Sequence, residues 1–593
     1  MKRTDFSVDW LFAACAPDTE LLPWNAQFTP VDLPHDWQIR HADDLYRDGT
    51  LFYRKYFFVT DVPGTRRMLW FGGAYMDTTV FVNGTEVGQW KYGYTSFWFD
   101  ITDALHEGQN EVLVRCNLRH PNSRWYSGAG LYRNVELWEA PDLHLMPDGL
   151  YVAAKEGDNG AWTVAVTAEA GSVTAASTGR TLTLHLTDDN GSLLGTAAIP
   201  ADAWAALPSP DGWRTGKETA IYKASHTFTL QDPALWDLDA PSFYHITAEL
   251  TGADGVTDTL TTRFGCRTIE ATPDCGLLVN HKRVLIKGVC IHHDFGCLGS
   301  AFEYSAAKRQ LEILKSMGVN SIRTGHTPPA PQFMDLADEM GILMDVESFD
   351  CWRSGKNPYD YGRFFDEWQE KDVAAWIRRD RNHPSLLFWC IGNEIYDTHA
   401  GPEGADTMRM LLAEVAAHDP ARNGIPTLGS NYMPWENTQH CADIIKVAGY
   451  NYGERLYASH HEKHPDWVIY GSETSSIVQS RGIYHFPLSQ SLLSDDDLQC
   501  SSLGNSRTSW GAESWDVCLQ SEQRWPFTLG QYLWTGWDYI GEPTPYHTRS
   551  SYFGTIDTAG FPKDAYYVVQ AAWLDPKTHP MVHLFPYWDF NEG

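Results

Sequence analysis

Residues 386–394 run Leu-Leu-Phe-Trp-Cys-Ile-Gly-Asn-Glu. An apolar stretch of this length, ending abruptly in Gly392, Asn393 and Glu394, reads as a strand buried on both faces, as in a parallel sheet. His383-Pro384 stops the helix before it, because the residue preceding a proline is pushed out of helical geometry. A carboxylate and an amide at the C-terminal lip of a buried parallel strand sit where barrel enzymes keep their chemistry. A glutamate capping the next helix would leave the same trace, so a second carboxylate is needed to decide.

Residues 467–473 supply it: Trp-Val-Ile-Tyr-Gly-Ser-Glu, followed by Thr474, Ser475 and Ser476. Two glutamates at the mouths of two buried strands suggest a carboxylate pair facing one pocket. That is the equipment for cleaving a glycosidic bond.

The rest of the chain fits around these runs. Up to about residue 140, short alternating segments are broken by turn residues: 52–59, 68–71, 79–82 before the hairpin signal Asn83-Gly84, and 111–115. This predicts an all-β domain over 1–140. Residues 141–268 alternate again, at 162–166, 181–186 and 245–250, with a Gly/Ser/Ala-rich stretch around 171–179; a small immunoglobulin-like β-sandwich fits that spacing. From 269 to 593 strands alternate with helical segments. The strands fall at 284–290, 321–324, 342–346, 386–391, 427–429, 444–447, 467–470 and 531–534, with a closing helix at 564–573. Eight strands make a (β/α)8 TIM barrel, with Glu394 after the fourth and Glu473 after the seventh.

Composition narrows the class. The net charge of -31 argues against nucleic acid or an anionic membrane as partner. Aromatic residues make up 13% of the chain, which suits sites where flat rings cover the apolar faces of sugars, although aromatics also fill cores. Eleven cysteines without paired spacing read as reduced thiols of a cytoplasmic protein. Lys2 and Arg3 before Trp10-Leu-Phe-Ala-Ala-Cys15 faintly resemble a lipoprotein signal, but Asp5 and Asp9 interrupt it; a lipid-anchored protein is the minority reading. No run of 18 apolar residues predicts a membrane span. No pattern decides between monomer and homo-oligomer.

Gly392-Asn393-Glu394 after an apolar strand, then Gly471-Ser472-Glu473-Thr474 about eighty residues on, resembles glycoside hydrolase family 2, whose members include β-galactosidases, β-glucuronidases and β-mannosidases. The resemblance implies a sugar-binding jelly roll first, carried by Leu33-Pro-His-Asp-Trp37 and by 124–133, Arg-Trp-Tyr-Ser-Gly-Ala-Gly-Leu-Tyr-Arg. In the family the second stretch reaches the active site. Relatives often carry an aspartate near the place of Arg124, which leaves a loop-structural arginine as an equal reading. Residues 581–588 resemble the lead-in to a further β domain of many relatives, so the sequence is either short or a fragment.

The same resemblance makes Glu394 the acid/base and Glu473 the nucleophile of a retaining glycosidase, with carboxyl groups about 5–5.5 Å apart. Glu394 is expected to be the desolvated, protonated member and Glu473 the ionised one, ringed by donors. Asn393 would hold the sugar 2-hydroxyl, and His292 and His326 other hydroxyls. Tyr452 would bond the nucleophile, with Tyr450 competing for that role. Trp534 would stack on the sugar, and Asp538 and Glu542 would line its rim. His292-His293-Asp294 offers no third ligand at a metal spacing, and Ser476 stands where the metal-assisted β-galactosidase has a histidine, so no metal and no cofactor are predicted.

For the sugar, 536–545 and 551–563 look like β-galactosidases of gut-type bacteria, and the Asn-x-Lys-Gly pattern of β-glucuronidases is not found. Between Trp534 and Lys563 the cations are Arg549 and Lys563, against Asp538, Glu542 and Asp557, a balance that favours neutral hydroxyls. The expected function is an exo-acting β-galactosidase on a β-galactoside oligosaccharide or glycoconjugate. A β-glucuronidase or β-galacturonidase, or a catalytically impaired carbohydrate-binding protein, stands as the alternative.

Overall fold

A computed structural model describes residues 1–593 except 42, 61–63, 175–179, 208–211, 253–254, 256, 486–497, 502–511, 545–547, 549 and 587–593. Among these residues a closed eight-stranded parallel barrel forms the C-terminal region. Its strands are β1 (Ile286–Ile291), β2 (Ser321–Thr324), β3 (Leu343–Glu347), β4 (Leu386–Asn393), β5 (Ile425–Ser430), β6 (Val447–Asn451), β7 (Val468–Ser475) and β8 (Gly530–Trp534). Every residue of β4 and β7 is buried, as uninterrupted apolar runs in a sheet covered on both faces require. The closing helix is Asp564–Trp573.

One strand is misplaced by sequence reading. Ile444 and Ile445, expected to open the sixth strand, end a helix (Glu436–Ile445) and turn Cys441, Ala442 and Ile445 inward. Lys446 then leaves helical geometry at φ +68, and the strand begins at Val447. A four-residue segment such as Ile444-Ile-Lys-Val447 carries no period long enough to separate helix from strand.

Ahead of the barrel lie two β-sandwiches. Residues from Lys2 to Pro141 build a six-stranded and a four-stranded sheet, with Asn83 and Gly84 both at positive φ in a hairpin. Residues from His144 to Phe264 build two four-stranded sheets around Leu150, Val164, Leu184, Ile246 and Leu250. All eleven cysteines are thiols. No helix among the described residues is long and apolar enough to cross a membrane.

The jelly roll's core runs on into the outer layer of the barrel as one apolar cluster. Buried polar contacts fix the angle between them. Arg133 Nη2 donates to Pro328 O at 2.9 Å, Thr95 Oγ1 to Asp372 Oδ1 at 2.6 Å, and Tyr126 N to Ile540 O at 3.0 Å. These contacts set the loop around residues 122–133 across the C-terminal mouth of the barrel. The immunoglobulin-like sandwich docks elsewhere, through Tyr151 on Asp419 and Arg378 on Glu169. Gly341 sits there at φ +63, where a Cβ would meet Leu238 O at 2.1 Å.

Candidate active site

The deep half of the site belongs to the barrel alone. Arg323 on β2 is fully buried, and its guanidinium spans the lumen. Nη1 donates to Glu473 Oε1 at 2.9 Å and to Ser472 O at 3.0 Å; Nη2 donates to Asn393 Oδ1 at 2.9 Å and pairs with Glu347 Oε1 at 2.8 Å. Tyr452 donates its hydroxyl to Glu473 Oε2 at 2.8 Å, so each oxygen of Glu473 has a donor. His326 places Nδ1 3.2 Å from Glu347 and Nε2 3.8 Å from Glu473. Burial, and then the charge of Glu394, push Glu473 up to about 7 against the pull of Arg323 and Tyr452. Glu347 is raised well above the usual carboxylate range by burial and by its acidic neighbours.

The rim half is shared between domains. Glu394 follows β4, with its N–H on Gly429 O at 2.9 Å. Its Oε1 accepts from Asn451 Nδ2 at 3.1 Å and its Oε2 from Arg124 Nη1, an arginine of the jelly roll, at 3.3 Å. Arg124 Nη2 and Lys356 Nζ each donate to Asp350 Oδ1 at 2.8 Å, and Lys356 also reaches Asn393 O at 3.0 Å. Burial alone would raise Asp350, but these two cations hold it below its ordinary range. Glu394 (φ +46) and Tyr452 (φ +54) occupy the left-handed region, which costs a non-glycine residue about 1–3 kcal/mol and marks a place where geometry is held for function.

An aromatic wall joins the halves. Trp534 lies parallel to the His326 ring, at 5.2 Å and 4°. His292 packs at 4.0 Å on Tyr539 and at 5.2 Å on Trp125 of the jelly roll, and both its ring nitrogens are buried without a hydrogen-bond partner among the described residues. Burial, with nearby cations and the neighbouring imidazoles, holds His292 and His326 well below the ordinary histidine range, so both are neutral. A neutral imidazole offers one donor and one acceptor, which suits hydroxyl groups.

Two family models match the chain: glycosyl hydrolases family 2, TIM barrel domain, over residues 271–461, and glycosyl hydrolases family 2 over 148–267. Beta-galactosidase BoGH2A of Bacteroides ovatus is 34% identical, aligned with all of this chain and 74% of its own length. The chain belongs to glycosyl hydrolases family 2. A beta-glucuronidase of Bacteroides fragilis is 26% identical across 95% of the chain and 82% of its own length. Among solved structures, a beta-glycosidase from Bacteroides vulgatus superposes with a TM-score of 0.82 at 28% identity, covering 99% of this chain and 76% of that one. The chain is thus a family 2 glycosidase, and its relatives divide over the sugar.

Against this family background, Asn393, Glu394, Tyr452, Glu473, His292, His326 and Trp534 come together at one end of the barrel. Tyr450 does not join them: its hydroxyl pairs with His460 at 2.9 Å. Asp538, expected on the rim, is turned to another task. Its Oδ1 accepts from Gly554 N at 2.7 Å and from Lys563 Nζ at 2.6 Å in a buried ion pair, and it makes no hydrogen bond to the other candidates among the described residues. Burial makes a lone lysine or aspartate so costly that each claims the other. Lys563 is therefore neutralised behind the site, and Arg549 lies outside the described residues. Asp294 caps loops, accepting from Gly296 N and Ile540 N, and His293 bonds Ser127 O.

The expected division between the two carboxylates is reversed in burial. Glu473 has 4% of its side chain exposed and Glu394 12%, so the candidate nucleophile is the more desolvated one, although it has the donors expected of it. Sequence reading also missed Arg323, Asn451, Asp350 and Lys356. For Arg323 a signal existed: an arginine inside Ser321–Thr324, a strand buried throughout, has to be paired by carboxylates nearby. Asn451 lies between Tyr450 and Tyr452 in the chain. Asp350 and Lys356 lie in a loop whose partners are set only by folding.

Proposed function

We propose that this chain is a retaining, exo-acting β-galactosidase. The observation that carries the reading is the pair Glu394 and Glu473, joined through Asn393, Asn451 and Arg323 and given unlike surroundings. Glu473 attacks the anomeric carbon as a carboxylate, its two oxygens aimed by Arg323 and Tyr452. Glu394 gives its proton to the departing oxygen. The glycosyl-enzyme then yields to a water from which Glu394 takes a proton back. Asn393 bonds the sugar 2-hydroxyl, His292 and His326 bond other hydroxyls, and Trp534 backs the ring. The jelly-roll loop bearing Arg124 and Trp125 walls off one side, which fits removal of terminal sugars.

The galactosyl assignment is supported by the full-length likeness to the Bacteroides ovatus beta-galactosidase and by the burial of Lys563 against Asp538. A second reading, a β-uronidase, draws support from Arg124, a cation within the site, and from the beta-glucuronidase relative. Arg124 is already engaged by Asp350 and Glu394, which favours the neutral sugar. Assaying nitrophenyl β-galactoside, β-glucuronide, β-galacturonide and β-mannoside side by side decides between them. Dominant turnover of a uronide overturns the galactosyl assignment, and proton NMR showing an α-anomer as first product overturns retention.

A further inference from the structure

We propose that Tyr396, Tyr432 and Trp435 form a platform for the leaving group, stacking the ring of a second sugar beside Glu394. The inference rests on the glycosidase reading above and deepens it by naming what the enzyme removes its terminal sugar from.

The platform is built from two loops at the catalytic mouth. Tyr396 lies two residues after Glu394. Tyr432 and Trp435 follow β5, beyond the glycine whose carbonyl holds the Glu394 N–H. His399 ties the group together, stacking on Tyr432 at 3.9 Å and 26°, with Trp435 at 5.4 Å and Tyr396 at 5.9 Å. Lys356, which holds Asn393 O, stands 5.9 Å over the Tyr396 ring. Burial, and then the charge of Glu394, push the Tyr432 hydroxyl up to about 12, as expected of a ring close to that carboxylate.

Exposure separates these rings from the rest of the site. Trp435 is 56% exposed and Tyr396 40%, whereas Trp534 and Trp125 are buried. Rings closed in on Trp534 face the terminal sugar. Rings open to solvent on the Glu394 side face the position that the departing group must occupy, because the acid has to reach the oxygen that leaves. The rings are tilted to one another, 70° between Tyr396 and Tyr432 and 63° between Trp435 and His399, so they offer separate partly exposed faces, with hydroxyl and indole donors at their edges, to a pyranose with its apolar face and polar rim.

The test measures kcat/KM for a β-galactosyl disaccharide and for methyl β-galactoside, on the full chain and on Trp435→Ala, Tyr396→Ala and Trp435→Phe. The ratio of disaccharide to methyl glycoside is expected to fall about tenfold in the alanine variants, one ring's worth of stacking, and to hold in Trp435→Phe. A ratio that stays within about twofold in both alanine variants overturns the proposal. So does a fall confined to nitrophenyl galactoside, which would make the platform an aryl site. If another terminal sugar is turned over in place of galactose, the galactosyl assignment fails and the same ratio, read with that sugar, still decides the platform. Saturation-transfer NMR of the disaccharide on Glu473→Gln gives a reading without turnover. Protons of the second ring should be saturated and should lose that saturation when Trp435→Ala is added; unchanged saturation overturns the platform.

Discussion

Two arginines serve the two carboxylates, and they are held in opposite ways. Arg323 is fully buried on a barrel strand and touches Glu347, Asn393 and Glu473. Arg124 keeps 31% of its side chain exposed, comes from another domain, and touches Asp350 and Glu394. The deep half of the site is therefore part of what holds the barrel together. The rim half is more open, because water can reach the place of a cation that is 31% exposed.

The largest expected effect tests the carboxylates themselves. On the proposed mechanism, Glu473→Ala should lower turnover of every glycoside by about 10⁴-fold or more, because no glycosyl-enzyme could form. Glu394→Ala should hit poor leaving groups hardest and spare activated phenols. Azide should rescue Glu394→Ala to a β-glycosyl azide. Rescue of Glu473→Ala to an α-azide, with Glu394→Ala untouched, would exchange the two roles.

Next comes stability. Arg323→Met leaves Glu347 and Glu473 without their shared counter-charge, and breaking a buried network of this kind costs about 3–5 kcal/mol. Denaturant unfolding at pH 7 should show that loss. If Arg323→Met unfolds like the wild type, the deep half is not structural and the contrast collapses.

A smaller effect, on the order of 3 kcal/mol, is read through pH. Glu473 has a folded-state value of about 7 against an ordinary 4.5. Between those values the folded state binds the extra proton, so this group's contribution falls as pH rises through the window and is fully lost above about 7. Glu473→Gln carries no such charge, so its stability relative to wild type should climb from pH 4.5 to 7 and then level. For the same reason kcat/KM of the wild type should rise with pH through about 7 as the proposed nucleophile ionises. A stability difference that is flat across the window would show that burial is not what sets Glu473.

The smallest stability effect belongs to the rim. Arg124→Ala should cost less in unfolding than Arg323→Met, because Arg124 keeps 31% of its side chain exposed and Arg323 none. It should nevertheless lower kcat/KM by about tenfold, because Glu394 and Asp350 lose the group that orients them. If stability and turnover fall together, Arg124 is a structural loop arginine after all.

The outline of the barrel was legible because strands buried on both faces leave continuous apolar runs, and 386–391 and 467–470 are such runs. Glu394, Glu473 and Asn393 were legible because they end those runs. Ile444 and Ile445 were not, since a short apolar stretch fits a helix as well as a strand. Asp538 misled for a related reason: its place after β8 was correct, but Lys563, twenty-five residues on, claims its oxygen. Local pattern says where a charge begins, and only the packed chain says which charge it meets.

The sequence by itself determined the order of two β-sandwiches and a parallel barrel, and the strand ends from which two glutamates project. Hydrophobic periodicity is a local property, and it survives in a one-dimensional record. Tertiary structure alone decided that Glu473 is the more deeply buried of the pair, that Arg323 links it to Asn393 and Glu347, and that an arginine 270 residues away reaches Glu394. Burial and Coulomb pairing act through space, so they come into being only when distant segments are brought to the same few ångströms.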